Sequence, residues 1–249
     1  MRQLLAMSTV LALLPAALAA SGCESTRAQA EKLTQEGDRA FAARGLRVGA
    51  ANRDVEIVER AVVSDVNGAA AVVVLRNGGG RALGDVPVAI AVKGANGKVL
   101  WRNDAPGLEE GLTHVALLAP GRTVTWVNDQ ILLAAGRPTS LAARVGAGDP
   151  APTAAAAVDI AVEGARLEGD PTSGVTALAR AVNRSSVAQE SLVIAAVARR
   201  GGSVVAAGRA IVPRLRANDA ERFQVFFIGD PRGAELTFDA QPSTLGGAR

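Results

Sequence analysis

VVVLRNGGGRALGDVPVAIAVKGANGKVL, residues 72–100, and ALARAVNRSSVAQESLVIAAVARRGGSVV, residues 177–205, decide how this chain folds. In each, an apolar run ends in Asn (Asn77, Asn183), a polar bend follows, a second apolar run comes next and a Gly-containing turn closes it. Short apolar runs, rich in β-branched residues and set between Gly and Asn, read as strands. Branched side chains pack well on a pleated surface, and Gly and Asn accept the positive φ angles of tight turns. Asn96-Gly97 within GANGK predicts a hairpin with a tight primed turn. A second pair, LAPGRTVTW (118–126) and LRANDAERF (215–223), follows in the same order; each is a turn feeding a strand that carries an aromatic residue, Trp126 or Phe223. The chain therefore reads as two diverged copies of one unit.

Around the first stretch the same pattern continues. Runs at Asp54 to Val63, Ala69 to Asn77, Asp85 to Lys93, Lys98 to Asn103, Leu112 to Leu118, Arg122 to Leu132 and Ser140 to Val145 are mostly β-branched or alternating, with turn residues between them. Seven such runs with no helical period among them predict an antiparallel β-sandwich of immunoglobulin-like type over residues 50–146. The matching segments predict a second sandwich over 158–240. GAGDPAPTAAAA (146–157) supplies a proline and small-residue linker at 147–157, and residues 241–249 form a tail. The expected fold class is mainly β, as two tandem sandwiches.

The N-terminus follows another logic. Met1 and Arg2 precede an uncharged run from Gln3 to Gly22, whose apolar part is broken by Pro15. It is shorter than the roughly 20 apolar residues of a membrane span and fits the apolar region of a secretory signal over residues 1–22. Small residues Ala20, Ser21 and Gly22 stand directly before Cys23, the only cysteine. LAASGC (18–23) resembles the lipobox of bacterial lipoproteins, with Ala20 where that family prefers Leu. The resemblance implies cleavage before Cys23, acylation of its thiol, a membrane-anchored protein and a location in the cell envelope outside the cytoplasm. Ala17-Leu18-Ala19 is a rival site for ordinary signal peptidase, and that cut would give a secreted soluble adhesion module. Residues 23–46 then form the lipidated N-terminus and a short helical stalk, because Glu24 to Arg44 lacks Pro and Gly45 is a natural stop.

The exposed strand, Asn-containing bend, alternating strand and G-K-V-L turn of the first copy resemble the small exported bacterial sandwich domains called FxLYD. Ile90-Ala91-Val92-Lys93-Gly94 falls where their signature would lie, and the chain has no tyrosine. The resemblance implies an extracytoplasmic accessory module and carries no catalytic residues.

Composition limits the partners. The formal net charge is +3, although the pI is 9.7. The high pI arises because one His, one Cys and no Tyr leave almost nothing to titrate between carboxylates and guanidiniums. Neither half concentrates the basic excess that binding to nucleic acid requires, so nucleic acid is excluded as a partner. The expected partners are the membrane, through the lipid, and an envelope protein.

Candidate sites are few. His114 is the only imidazole, and a lone His makes neither a zinc site nor a triad by itself. Asn103, Asp104, Glu109 and Glu110 crowd one loop, but their spacing matches no calcium loop. Gly78-Gly79-Gly80-Arg81 lacks the Gly-Lys-Ser/Thr and following helix of a phosphate cradle. Asn183-Arg184-Ser185 has the form of a glycosylation sequon, incidental in a bacterial lipoprotein. Arg199, Arg200, Arg209, Arg214 and Arg216, with Asp219 and Glu221 nearby, read as a mixed solvated surface. Trp126 aligns with Phe223 as a repeated core position, whereas Trp101 has no aromatic counterpart and is the candidate for a partner contact. No catalytic residue, metal site or cofactor is expected. The expected function is non-catalytic binding or scaffolding; the alternatives are an extracytoplasmic hydrolase or a metal- or ligand-binding accessory protein. A surface adhesin that adds a partner's strand to an open sheet edge is a further reading.

Overall fold

The computed structural model describes residues 45–151, 158–170 and 174–243. The expected signal peptide, Cys23, the stalk up to residue 44, residues 152–157 of the linker and residues 244–249 of the tail lie outside the described residues. Among the described residues the secondary structure is fifteen β-strands and two short 3-10 turns. The protein is mainly β, built of several antiparallel sheets.

β1 (Val55–Asp65) and β2 (Gly68–Asn77) form a hairpin, and β6 (Thr123–Ile131) adds to the other edge of β2, giving the order β1-β2-β6. In a second sheet β3 (Leu83–Lys93) is central. β4 (Val99–Arg102) and β5 (His114–Leu118) run along one of its edges, and β7 (Ser140–Val145) and β8 (Asp149–Pro150) along the other. Alternate residues of the two sheets meet in one core, in which Leu75, Val86, Val88, Leu118, Trp126 and Ile131 are buried. All seven strands expected between residues 54 and 145 form, with ends within two residues of the expected ones. The GANGK hairpin has the expected positive φ at Asn96 (57°) and Gly97 (73°), but it closes through a three-residue turn, Ala95–Gly97. Gly94 N–H donates to the Lys98 carbonyl (2.8 Å), and a register shift between Val92 and Lys93 takes up the extra residue.

Beyond the linker, β9 (Ile160–Asp170), β10 (Gly174–Asn183) and β13 (Ala220–Phe226) form a sheet in the order β13-β10-β9. β11 (Gln189–Arg200), β12 (Ser203–Leu215), β14 (Ile228–Gly229) and β15 (Glu235–Gln241) form another, β14-β12-β11-β15. A second core lies between them around Leu192, Ile194, Leu215, Phe223 and Val225. The aligned asparagines do the same work in each half. Asn77 Nδ2 donates to the carbonyls of Arg81 (2.7 Å) and Leu118 (2.9 Å), and its Oδ1 accepts from Gly79 N–H. Asn183 Nδ2 donates to the carbonyls of Val187 (2.8 Å) and Arg216 (3.0 Å), and its Oδ1 accepts from Ser185 N–H. Each buried amide thus pins a strand end, a bend and a later strand together, with its polar groups satisfied.

The two pairs of sheets are not separate beads. β2 is buried on both faces: Leu75, Val73 and Ala71 face the first core, and Ala70, Val72 and Val74 face the second half. The latter join Val127 of β6 and meet Ala195 and Val197 of β11 and Ala207 of β12 in a third apolar cluster. The described residues therefore stack as four sheets, the middle two meeting through alanine and valine. The expected linker also differs from a free tether at its start. Gly146 N–H donates to the Pro87 carbonyl and Ala151 N–H to the Ala82 carbonyl, both at 2.9 Å, so residues 146–151 run beside β3.

Candidate functional site at the seam between the halves

The seam is held by carboxylates that cap strand edges. β6 is an edge strand, and its Thr125 N–H, which has no strand to bond, donates to Asp239 Oδ2 of β15 at 2.5 Å. Gln241 Nε2 completes the mimicry by donating to the Thr125 carbonyl (2.6 Å). In the reverse direction Arg209 N–H of β12 donates to Asp129 Oδ2 of β6 (2.9 Å), and Gly229 N–H of β14 donates to Asp65 Oδ2 (2.8 Å). An unpaired strand edge is a liability, and each of these side chains satisfies one of its groups. Burial pushes the carboxyls of Asp129 and Asp239 up from the ordinary value, only partly offset by the hydrogen bonds they accept from Arg209 N–H and Thr125 N–H. The Arg209 side chain, 3% exposed, pairs with Glu109 and lies 3.4 Å from Asp129, and Arg199 pairs with Glu59 at 2.6 Å.

At one end of the seam the loop tips of both halves leave an open groove of about 840 Å³. Leu133, Val175, Val205 and Phe227 line it, with Asp65, Asp230 and Arg137 among its polar groups. Hydrogen bonds from the Arg232 side chain and backbone hold the Asp230 carboxyl well below the usual carboxylate range. Val66, at 99% exposed, and Leu132, at 76%, stand at its rim and are the two most exposed large apolar side chains among the described residues. Apolar side chains with a few polar groups around a concavity are the composition of a binding surface.

Most residues singled out from the sequence are placed elsewhere, in structural roles. Asn103 is buried: its Oδ1 accepts from Ile90 N–H, and its Nδ2 donates to the carbonyls of Val88 and Leu112. It is therefore a clamp on β3, and Glu109 turns to Arg209. Asp104 and Glu110 are exposed. Among the described residues no group of three or more His, Cys, Asp or Glu side chains is placed to hold a metal ion. His114 Nδ1 lies 2.9 Å from Thr113 Oγ1, and its Nε2 is 4.0 Å from Asp85. Trp126 is buried, its Nε1–H donating to the Gly111 carbonyl (2.9 Å), and Trp101 is half-buried against the first core. Gly79 forms a bend on Asn77, and Asn183 is 1% exposed, so the sequon offers no surface amide. Arg200 donates to the Arg232 carbonyl and Arg214 pairs with Glu190 (3.3 Å). Asp219 Oδ1 accepts from Ala220 N–H, and Glu221 is exposed.

Asp65, Asp129, Asp239, Val66 and Leu132 were not singled out from the sequence. Asp129 and Asp239 stand in strands that carry other polar residues, TVTWVNDQI and ELTFDAQ, so nothing in the sequence sets them apart.

What these sheets define is a mainly β protein whose described side chains are largely engaged in holding layers together. No family model matches the chain, and no curated protein matches it.

Proposed function

We propose that this protein is a lipid-anchored, non-catalytic binding or scaffolding protein of the bacterial cell envelope, built from two copies of one immunoglobulin-like sandwich. The observation that carries the non-catalytic part is the engagement of the side chains best suited to chemistry. Asn103, Glu109, Asp129, Arg209 and Asp239 each bond a backbone group or an ion partner across the fold. What stays open is contact surface: the groove with its rim of Val66 and Leu132. The duplication is supported by equal strand order, with β1-β2-β6 answered by β9-β10-β13, and by the equivalent bonds of Asn77 and Asn183. The anchor is supported by LAASGC at the end of an apolar leader and by a sole cysteine that acylation would account for. Stable anchoring takes more than one acyl chain, which the lipoprotein pathway would supply.

The test is intact-mass analysis of the N-terminal peptide together with membrane fractionation of Cys23→Ser. The expected result is a diacylated Cys23 as the first residue and a serine variant that leaves the membrane. An unmodified Cys23, or a serine variant that stays in the membrane, contradicts the anchor.

A further inference from the structure

The outward face of the last sheet in the stack, β13-β10-β9, carries an arrangement that folding alone does not favour. Arg180 of β10 and Arg222 of β13 are directly opposed across the ladder, and both are exposed. Directly opposed side chains on neighbouring strands have Cβ atoms about 5 Å apart, and like charges there destabilise the pair. The neighbouring acids are each engaged with another arginine. Glu163, opposite Arg180 on β9, is bonded to Arg184 (2.7 Å), and Glu168 is bonded to Arg166 (2.8 Å). Among the described residues neither Arg180 nor Arg222 has an ion-pair partner. On the same face of β13 follow exposed Gln224 and then Phe226, which is 66% exposed.

The first half shows what this position does when a sheet covers it. Arg180 stands three residues before Asn183, as Val74 stands three before Asn77. Val74 is buried beneath the second half and lies opposite Thr125, where the second half has Arg222. The same face is thus a stacking surface in one half and an open, cationic one in the other.

We propose that this face binds a carboxylate-bearing glycan strand. Two guanidiniums at one ladder position form a double fork for planar carboxylates, which removes their mutual repulsion. Gln224 continues the row with hydrogen-bonding capacity. Phe226, about 13 Å along the strand from Arg222 at the usual rise, supplies a flat apolar platform for a sugar ring further along the same polymer. Two neighbouring guanidiniums without an ion-pair partner suit a polymer of spaced single charges better than the dense phosphates of nucleic acid. The inference does not rest on the lipid anchor or on the groove.

The test uses the full-length chain in detergent micelles at low salt, with polygalacturonate as probe, neutral dextran as control and phosphatidylglycerol vesicles as the competing surface. Wild type is expected to bind polygalacturonate and not dextran. Arg222→Glu is expected to weaken that binding at least about tenfold, the loss of a charge-assisted pair, while raising the melting temperature because Arg180 then faces a carboxylate. Phe226→Ala is expected to weaken glycan binding without lowering the melting temperature. No binding of polygalacturonate by wild type, or unchanged binding by Arg222→Glu, overturns the proposal. So does dependence on Arg222 seen with vesicles and not with the glycan.

Discussion

Single side chains in this protein act mostly on backbone. Asn77 and Asn183 each bond two backbone carbonyls and a backbone N–H that water would otherwise have to satisfy, and each is almost fully buried. Truncation leaves those groups unpaired, so Asn77→Ala and Asn183→Ala are each expected to cost about 2–4 kcal/mol in denaturant unfolding. A cost well under 1 kcal/mol at either site contradicts the clamp. Asp239 contributes to the pH dependence with a definite sign. Burial raises its carboxyl, and that of Asp129, above the ordinary 3.8, so the folded state holds these protons more tightly than the unfolded chain. Their contribution to stability is fully present below about the ordinary value and is lost as pH rises through the raised one. Thermal unfolding across this acidic range is expected to show these two groups favouring the lower pH. Asp239→Asn keeps an oxygen for Thr125 N–H without the buried charge, so it is expected to flatten the pH slope and to hold or raise stability at neutral pH. A slope unchanged by that substitution contradicts the assignment.

Strands are where sequence and structure agree best, and the reason is periodicity. β1 reads as alternating and is half-exposed along its length, and its neighbours end where Gly, Asn or Pro ends them. The strands of greatest consequence carry a different signal. GAAAVVVL at 68–75 and LVIAAVA at 192–198 are almost continuously apolar, as a strand must be when both faces are covered. That pattern was legible as strand, while the identity of the covering layer was not, because nothing in a single strand says what packs on its second face. The three aspartates of the seam were illegible for a related reason. Their partners are backbone N–H groups far away in sequence: 114 residues separate Thr125 from Asp239. Trp126 as core was legible from its alignment with Phe223; the roles of Asn103 and Glu109 were not, since side chains on one loop can turn inward or outward. Close approach between elements gives a further prediction. A Cβ at Gly208 of β12 would lie 2.0 Å from the Phe226 carbonyl oxygen and 2.8 Å from Val225 Cγ1. Because the nearest obstacle is backbone, Gly208→Ala is expected to cost about 3 kcal/mol, at the upper end for overpacking. Melting curves check this, and a neutral effect would mean that β12 and β13 lie further apart.

At the largest scale, the four sheets of the described residues join the two β halves through a shared apolar layer. Ala70, Val72, Val74, Ala195, Val197 and Ala207 exclude water between the middle layers. Arg199 with Glu59, Arg209 with Glu109, and the aspartate caps ring that apolar patch with polar ties. Small side chains let the two sheets approach closely, and burial of their apolar surface is the main favourable term, at about 25 cal/mol per Å². The outer face of the last sheet, with Arg180 and Arg222 where the first half has Val74 and Thr125, ends the stack after four layers by presenting charge in place of an apolar surface. The two halves are expected to fold as a unit through this seam. Differential scanning calorimetry of the full-length chain tests it most directly. A single transition with equal calorimetric and van't Hoff enthalpies is the result predicted, and two resolved transitions, each with the enthalpy of one half, would contradict it.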